Sequence, residues 1–308
     1  MAVYSIMFIN VITPLHNGAG ESTGFIDNPI IRERTTSFPF VQAASIKGVF
    51  RDSYEVVLNS NAVYALFGPE PDRGEEHIGS VSFGEGQLLA FPIRSLKGCF
   101  VWATSLLILH RLYQRLNIAG IEYQELEELL SSLSLPLDHA YICKGSTEQL
   151  LFTDNKLLLE EFPKDAQESD KLKKFTERIS TSIFSEKDTF LKKEFEKKFV
   201  ILPEDSFRYF VENTTEIVPN IRIGEKGVTK TGSLRYTEYL PAETILYSLM
   251  TFEKSRINNN QVDNSAKNIL LNTDKNVQEV FCAFSPEVIQ LGGDETTGKG
   301  LVKLAFLR

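Results

Sequence analysis

Three cysteines in 308 residues, Cys99, Cys143 and Cys282, are too few and too far apart for a disulfide framework or a zinc pattern. Each has apolar or aromatic neighbours and is expected to be a small core residue of a protein from a reducing compartment. With only four histidines, a histidine-built metal centre is also disfavoured. His77, His110 and His139 have no partner at ligand spacing and read as structural. A basic surplus is missing too: 41 acidic side chains against 33 Lys and Arg leave a net charge of -8. That argues against an indiscriminate polyanion binder, while permitting a local basic groove. The longest apolar run, Cys99 to Leu109, is too short to cross a bilayer and reads as part of a buried helix from Leu96 to about Leu116. Met1 to Thr13 lacks the basic start and cleavage site of a signal peptide, so a cytoplasmic protein without a membrane partner is expected.

What is present is an ordinary globular composition, with 42% hydrophobic and 24% charged residues, enough for a sizeable core. Val3 to Thr13 is rich in β-formers with apolar residues on both faces, which predicts a central strand covered on both sides. Pro14 ends it. The segment from there to Ala43 has no helical period, and a loop of that length in a compact protein is usually functional. It carries His16 beside Gly18 and Gly20, then Asp27 before Pro29. Asp27 is read either as an Asx turn or as a reactive carboxylate.

A helix is expected from Ser45, as N-cap, to about Leu58, burying Ile46, Val49, Phe50, Tyr54 and Val57. Lys47 and Arg51 repel one turn apart, and a cation in the first turn opposes the helix dipole. They form either a solvated face or a phosphate site, in which a bound phosphate removes the cost. Ser95-Leu96-Lys97-Gly98-Cys99-Phe100 echoes Ser45 to Phe50, through duplication or through similar helix starts.

Further along, Val81 to Phe83, Leu88 to Ile93, Thr244 to Lys254 and Leu301 to Leu307 read as strands. Ile121 to Leu133 reads as a helix stopped by Pro136, Asn258 to Asn264 as a loop, and Val277 to Phe284 as a helix or a strand. Glu160 to Val200 has nearly cancelling charges and rough helical spacing of its apolar residues, which suits an exposed helical insertion. Pro219 to Tyr239 has the pattern of a long β-hairpin with basic residues near its tip. Gly293 to Gly300 looks like a P-loop but has Gly300 where Ser or Thr must bind magnesium, and the chain ends without a following helix. Its glycines and Lys299 still suit polynucleotide phosphates.

The ordered motifs Pro14-Leu15-His16, Asp27-Asn-Pro-Ile-Ile-Arg-Glu-Arg34, Phe38-Pro39 and Ser45-Ile-Lys-Gly48 resemble the RAMP superfamily of CRISPR proteins. Phe91 to Gly98, Leu240-Pro-Ala-Glu243 and the terminal glycine-rich loop extend the likeness to essentially the whole chain. More closely, it is similar to the backbone subunit of the type III-B (Cmr) effector complex. The resemblance implies an α+β fold in a single RAMP domain over residues 1–308. A modified RRM-like (ferredoxin-like) core would carry a helical insertion at about 120–200 and a β-hairpin thumb at about 219–239. It implies copies stacked along a guide CRISPR RNA beside other CRISPR effector subunits. Target single-stranded RNA would be cut at regular intervals, one endoribonuclease cut per subunit. Asp27 matches the family's catalytic aspartate and possible metal ligand, and a divalent metal, Mg2+ or Mn2+, is the implied cofactor. His16, Glu238 and Tyr239 fall where the family has residues near the cut. The RNA-binding set on this reading is Lys47, Arg51, Ser45, Arg34, Lys97, Arg222, Lys226, Lys230, Arg235, Gly293 and Lys299. The alternatives are a non-catalytic RNA-binding scaffold of such a complex, or a RAMP nuclease that matures guide precursors.

Overall fold

The structure, a computed structural model, describes residues 2–22, 24–133, 139–153, 155–224, 227–257 and 271–308. Pro136, Lys226 and the loop expected at Asn258 to Asn264 lie outside the described residues. The opening strand, Val3–Val11, lies between Ile245–Phe252 and Leu301–Leu307 and is antiparallel to both. Ile245–Phe252 pairs on its other side with Gly86–Arg94, again antiparallel. Taken in chain order, these four strands lie 4-1-3-2 across the sheet. Helix Ala43–Glu55 falls between the first and second, and helix Asp274–Phe284 between the third and fourth. This is the split βαβ arrangement of a ferredoxin-like fold, and the fold is mixed α+β.

The continuous apolar run of the opening strand has its expected cause: Ile6 to Ile9 are fully buried. Helix Asp274–Phe284, undecided from sequence, is capped by Thr273, whose hydroxyl accepts from the Asn276 N–H. It delivers Phe281 into a cluster with Phe50, Tyr54, Phe67 and Phe83. The Tyr54 hydroxyl donates to the Phe281 carbonyl, which satisfies a polar atom at the centre of that cluster.

Between the second and third core strands, residues 95–244 form one long insertion. The sequence reading departs furthest from the structure here. Leu96 to Leu116 is not one helix: Phe100–Ser105 is a strand and the helix is Leu106–Ile118. Gly98 and Cys99 have φ of +76° and +72° and turn the chain back, so that Phe100–Ser105 pairs with Gly86–Arg94. Val101, Trp102 and Thr104 are strand formers at positions that the helical reading took as a stripe. The echo of Ser45 to Phe50 at Ser95 to Phe100 is thus a hairpin turn, and Cys99 is exposed rather than a core residue.

The span expected as a helical insertion carries helices Gln124–Ser132, Asp170–Ile183 and Thr189–Lys198. It also carries strands Ala140–Cys143, Lys156–Leu159, Phe162–Ser169 and Phe199–Leu202, which continue the sheet. Among the described residues, thirteen strands join in that sheet. Nor are its helices merely exposed, because Leu172, Phe175, Ile179, Ile183 and Phe195 are buried. The hairpin stands apart as a two-stranded ribbon, Glu216–Asn220 with Arg235–Tyr239, and its pairing begins at Glu216, before the expected Pro219. Among the described residues no helix is long and apolar enough to cross a membrane.

Candidate functional site

The loop after the opening strand lies along the free edge of hairpin strand Arg235–Tyr239. A strand turns the backbone groups of alternate residues to the same edge, and here residues 236, 238 and 240 all face the loop. The Tyr236 N–H donates to Asp27 Oδ2 at 2.7 Å, and the Asn28 N–H donates to the Tyr236 carbonyl. The Glu238 N–H donates to the Asn28 carbonyl, while His16 Nδ1 lies 2.7 Å from the Glu238 carbonyl. Leu15 and Leu240 then exchange both backbone bonds. A carbonyl only accepts, so His16 carries its proton on Nδ1 and, as the neutral ring, presents Nε2 as an acceptor. Nε2 faces Gly18, where a Cβ would sit 2.7 Å from it. Asp27 and His16 are therefore held at positions two strand residues apart on one edge. Asp27 does not make the local Asx turn, and Asn28 adds a side-chain bond to Thr237 Oγ1.

Glu238 faces inward and is 3% exposed. Its Oε1 accepts from Arg32 at 2.6 Å and from the Thr215 hydroxyl at 2.8 Å, and its Oε2 accepts from the Ile30 N–H at 3.0 Å. Arg32 also donates to the carbonyls of Ser37 and Val211. Glu238 thus fastens the loop to the hairpin as a latch, with both carboxylate oxygens engaged inside the chain. In Arg32-Glu33-Arg34 the first residue is that latch, and the second is paired with Arg111 at 2.9 Å. Only Arg34 is exposed with no ion-pair partner among the described residues.

The terminal glycine-rich loop packs against the other side of His16. Tyr239 meets the imidazole edge-on at 5.6 Å, donates its hydroxyl to Asp294 Oδ2 at 2.6 Å, and carries the Lys299 ammonium 4.9 Å above its ring. Burial, helped by the Asp294 carboxylate, pushes the Tyr239 phenol up to about 12, so it stays protonated at neutral pH. The pH–rate profile of Tyr239→Phe should accordingly keep the wild-type shape from pH 6 to about 10; a lost alkaline limb would return Tyr239 to the acid–base chemistry.

Packing demands several of the loop's glycines. The Gly293 N–H is engaged by the His16 carbonyl, and the Gly300 N–H by that of Pro14. A Cβ on Gly292 would lie 2.2 Å from the His16 carbonyl oxygen, and one on Gly300 1.9 Å from that of Leu291. Gly300→Ala should cost about 3 kcal/mol, and Gly298→Ala, left-handed but unobstructed, about 1 kcal/mol, read from urea midpoints. Equal effects would exclude the steric account.

Asp27, Glu21, Ser22, Asn28 and Arg235 line a depression of about 110 Å³. Among the described residues no three His, Cys, Asp or Glu side chains gather to cage a metal. One Asp27 oxygen is taken by the Tyr236 N–H. A divalent ion here would use the other oxygen, with Glu21, and complete its shell from water and substrate phosphate. Such a donor set would suit an oxygen-preferring divalent ion shared with a polynucleotide rather than a protein-only cage.

The expected phosphate site at the first helix is altered. Its N-cap is Gln42, Ser45 lies inside the first turn, and the terminus is occupied by a protein carboxylate, since Glu85 Oε2 accepts from the Ala43 N–H at 3.0 Å. Arg51 pairs with Glu70 at 2.7 Å and Glu55 at 3.1 Å and donates to the carbonyls of Gly68 and Pro69, so its charge is balanced within the chain. Lys47 has no ion-pair partner among the described residues, and burial, then Arg51, holds its ammonium below the usual lysine range. A bound phosphate would relieve that. Lys47→Ala should weaken single-stranded RNA binding and flatten the log K against log salt slope by about 0.7 per subunit, whereas Arg51→Ala should leave the slope alone. An unchanged slope for Lys47→Ala would remove it from the phosphate contacts.

Lys97 sits in the 95–99 turn and donates to the Glu148 carbonyl. Arg222, Lys230 and Arg235 line one concavity of about 360 Å³ on the hairpin, together with Ser233. His110 lies on the exposed face of its helix rather than in the core. Sequence reading missed the Glu238–Arg32 latch, the Glu85 cap, the Asp294–Tyr239 bond, and Phe25, which is 78% exposed and stacked on Tyr236. Phe25 had one available signal, an aromatic two residues before Asp27 in a polar loop. The others are long-range pairings with none.

Residues 8–303 match the RAMP superfamily. The Cmr endoribonuclease Cmr4 of Pyrococcus furiosus is 33% identical over 302 residues, covering 96% of this chain and 92% of that protein. The crystal structure of oligomeric Cmr4 from Pyrococcus furiosus superposes with a TM-score of 0.71 at 29% identity, covering 99% of this chain and 98% of that one. A chain in a cryo-EM structure of the type III-B Cmr-beta complex bound to cognate target RNA has the same fold, with a TM-score of 0.73 at 20% identity over 98% and 96% of the two chains. The ferredoxin-like core, the hairpin tied to the first loop and this full-length similarity together assign the chain: it belongs to the RAMP superfamily, among the Cmr4-like backbone subunits of type III-B Cmr CRISPR effector complexes.

Proposed function

We propose that this chain is a guide-RNA-binding filament subunit that cleaves target RNA, once per subunit, with Asp27 as the reactive carboxylate. The observation that carries this reading is the bond between Asp27 and the base of the hairpin at Tyr236. A hairpin that intrudes into a guide–target duplex then brings the displaced target backbone to the carboxylate, because the two move as one piece. Sequence choice is delegated to base pairing, while the protein contacts backbone and shape.

In the reaction, the 2′-hydroxyl oxygen at the cut bonds to the adjacent phosphorus as the bond to the 5′-oxygen breaks. Asp27 takes the hydroxyl proton through its free oxygen, and the 5′-oxygen leaves with a proton from water. The products are a 2′,3′-cyclic phosphate and a 5′-hydroxyl. Arg235, which has no ion-pair partner among the described residues, offsets phosphate charge in the same depression. With a divalent cation held by that Asp27 oxygen and Glu21, the ion would supply charge neutralisation at the phosphate and the hydroxyl proton would pass to water instead. With a single carboxylate, most of the rate comes from bringing the 2′-oxygen, phosphorus and leaving oxygen into line.

Further copies of the chain, guide RNA, target RNA and other effector subunits are the partners on this reading. Ile217, Ile221, Ile223, Val228 and Leu234 are exposed on the hairpin, an apolar surface suited to bases laid open by its intrusion. The test is reconstitution with a guide and a matched target. Evenly spaced products, lost at any cut whose 2′-hydroxyl is replaced by hydrogen, support the proposal. Uncut target in a fully assembled complex would leave a scaffold, and cutting of guide precursor by the isolated chain would leave a maturation nuclease.

A further inference from the structure

Phe25 has no packing role that accounts for its position. Its ring is 78% exposed, with one face stacked on Tyr236 at 5.4 Å and 18° and the other open to water. The turn that presents it is closed by the Ser22 N–H on the Asp27 carbonyl and the Gly24 N–H on the Ser22 hydroxyl. The depression beside it is lined by polar residues, Glu21, Ser22, Asp27, Asn28 and Arg235. Tyr236 holds both halves of this unit, since its ring backs Phe25 while its N–H fixes Asp27.

We propose that Phe25, backed by Tyr236, is a stacking subsite for the unpaired nucleobase next to the phosphate that Asp27 attacks. The three groups match three parts of one nucleotide: an aromatic face for the base, a carboxylate for the 2′-hydroxyl, and the Arg235 guanidinium for phosphate. An aromatic platform accepts any base and favours the larger purines, which suits an enzyme whose sequence choice lies in the guide. The inference rests on the assignment of cleavage to Asp27. It adds that the displaced base, and not only the backbone, is gripped during the reaction.

The test uses the full chain assembled with guide RNA and a target that carries one abasic nucleotide at a single displaced position. Stacking on one base is expected to be worth about tenfold in rate. Phe25→Ala should slow every cut by that factor with unchanged spacing, and Phe25→Trp should restore it. The abasic target should lose the same factor at its own site in the wild type, with the remaining cuts as internal controls. Phe25→Ala on the abasic target should lose nothing more at that site. An unchanged rate for Phe25→Ala would overturn the subsite, as would losses that multiply. Failure of the Phe25→Ala chains to assemble on the guide would also overturn it, by making Phe25 a contact between copies. A second readout is independent of cleavage. In an Asp27→Asn background, 2-aminopurine at the displaced position should be quenched with Phe25 and brighten with Phe25→Ala. Wild-type cutting by Asp27→Asn with quenching intact would mean that the Asp27 assignment fails while the subsite stands.

Discussion

Asp27→Asn is expected to assemble normally, bind target normally and cut it at least about 100-fold more slowly. The asparagine carbonyl still accepts the Tyr236 N–H, so the loop stays fastened to the hairpin and only the charge and the basic oxygen are lost. Asp27→Ala is the informative contrast. It removes the same base and also releases the Tyr236 N–H, which should cost about 1 kcal/mol of stability and loosen the hairpin base. Single-turnover cleavage at saturating target separates the two effects. Cleavage by Asp27→Asn within threefold of wild type would remove Asp27 from the chemistry.

The second large effect belongs to Glu238 and is one of stability. Glu238→Ala strands a mostly buried Arg32 guanidinium, the Ile30 N–H and the Thr215 hydroxyl together. Removing one partner of a buried pair costs several kcal/mol; with Arg32 one-fifth exposed, about 3 kcal/mol is expected, or roughly 5 °C in Tm. Glu238→Gln keeps an acceptor for Arg32 but sets an amide donor against another donor, so it should lose less than half as much. Assayed well below its Tm, Glu238→Gln should retain cleavage. If it folds with wild-type stability yet has lost cleavage, Glu238 is reactive and not a latch.

The core was legible where local pattern and burial agree. Val3 to Val11 is buried on both faces, so its unbroken apolar run identified it as a central strand, and Leu301 to Leu307 completed the sheet beside it. Phe100 to Ser105 was not legible, because a buried apolar run has the same composition in a strand and a helix, and the arbiter was the left-handed pair Gly98 and Cys99. At the site, Asp27 and His16 stood out by residue type in a long loop. The hairpin edge that brings them together depends on bonds between residues more than 200 positions apart, which no periodicity records. The same limit applies to Lys47 and Arg51. Their like charges one turn apart suggested a missing anion, and for Arg51 that anion is Glu70 with Glu55. Gly293 to Gly300 resembled an anion loop because tight packing and phosphate binding both demand glycine.

The central claim, one cut per subunit by Asp27, is tested most directly by assembling complexes from mixtures of wild-type and Asp27→Asn chains on one guide and end-labelled target. If each subunit cuts with its own Asp27, every product of the ladder should fade in proportion to the mutant fraction, with the spacing and the assembled mass unchanged. A ladder that keeps its full intensity when every subunit carries the Asp27→Asn substitution would contradict the account.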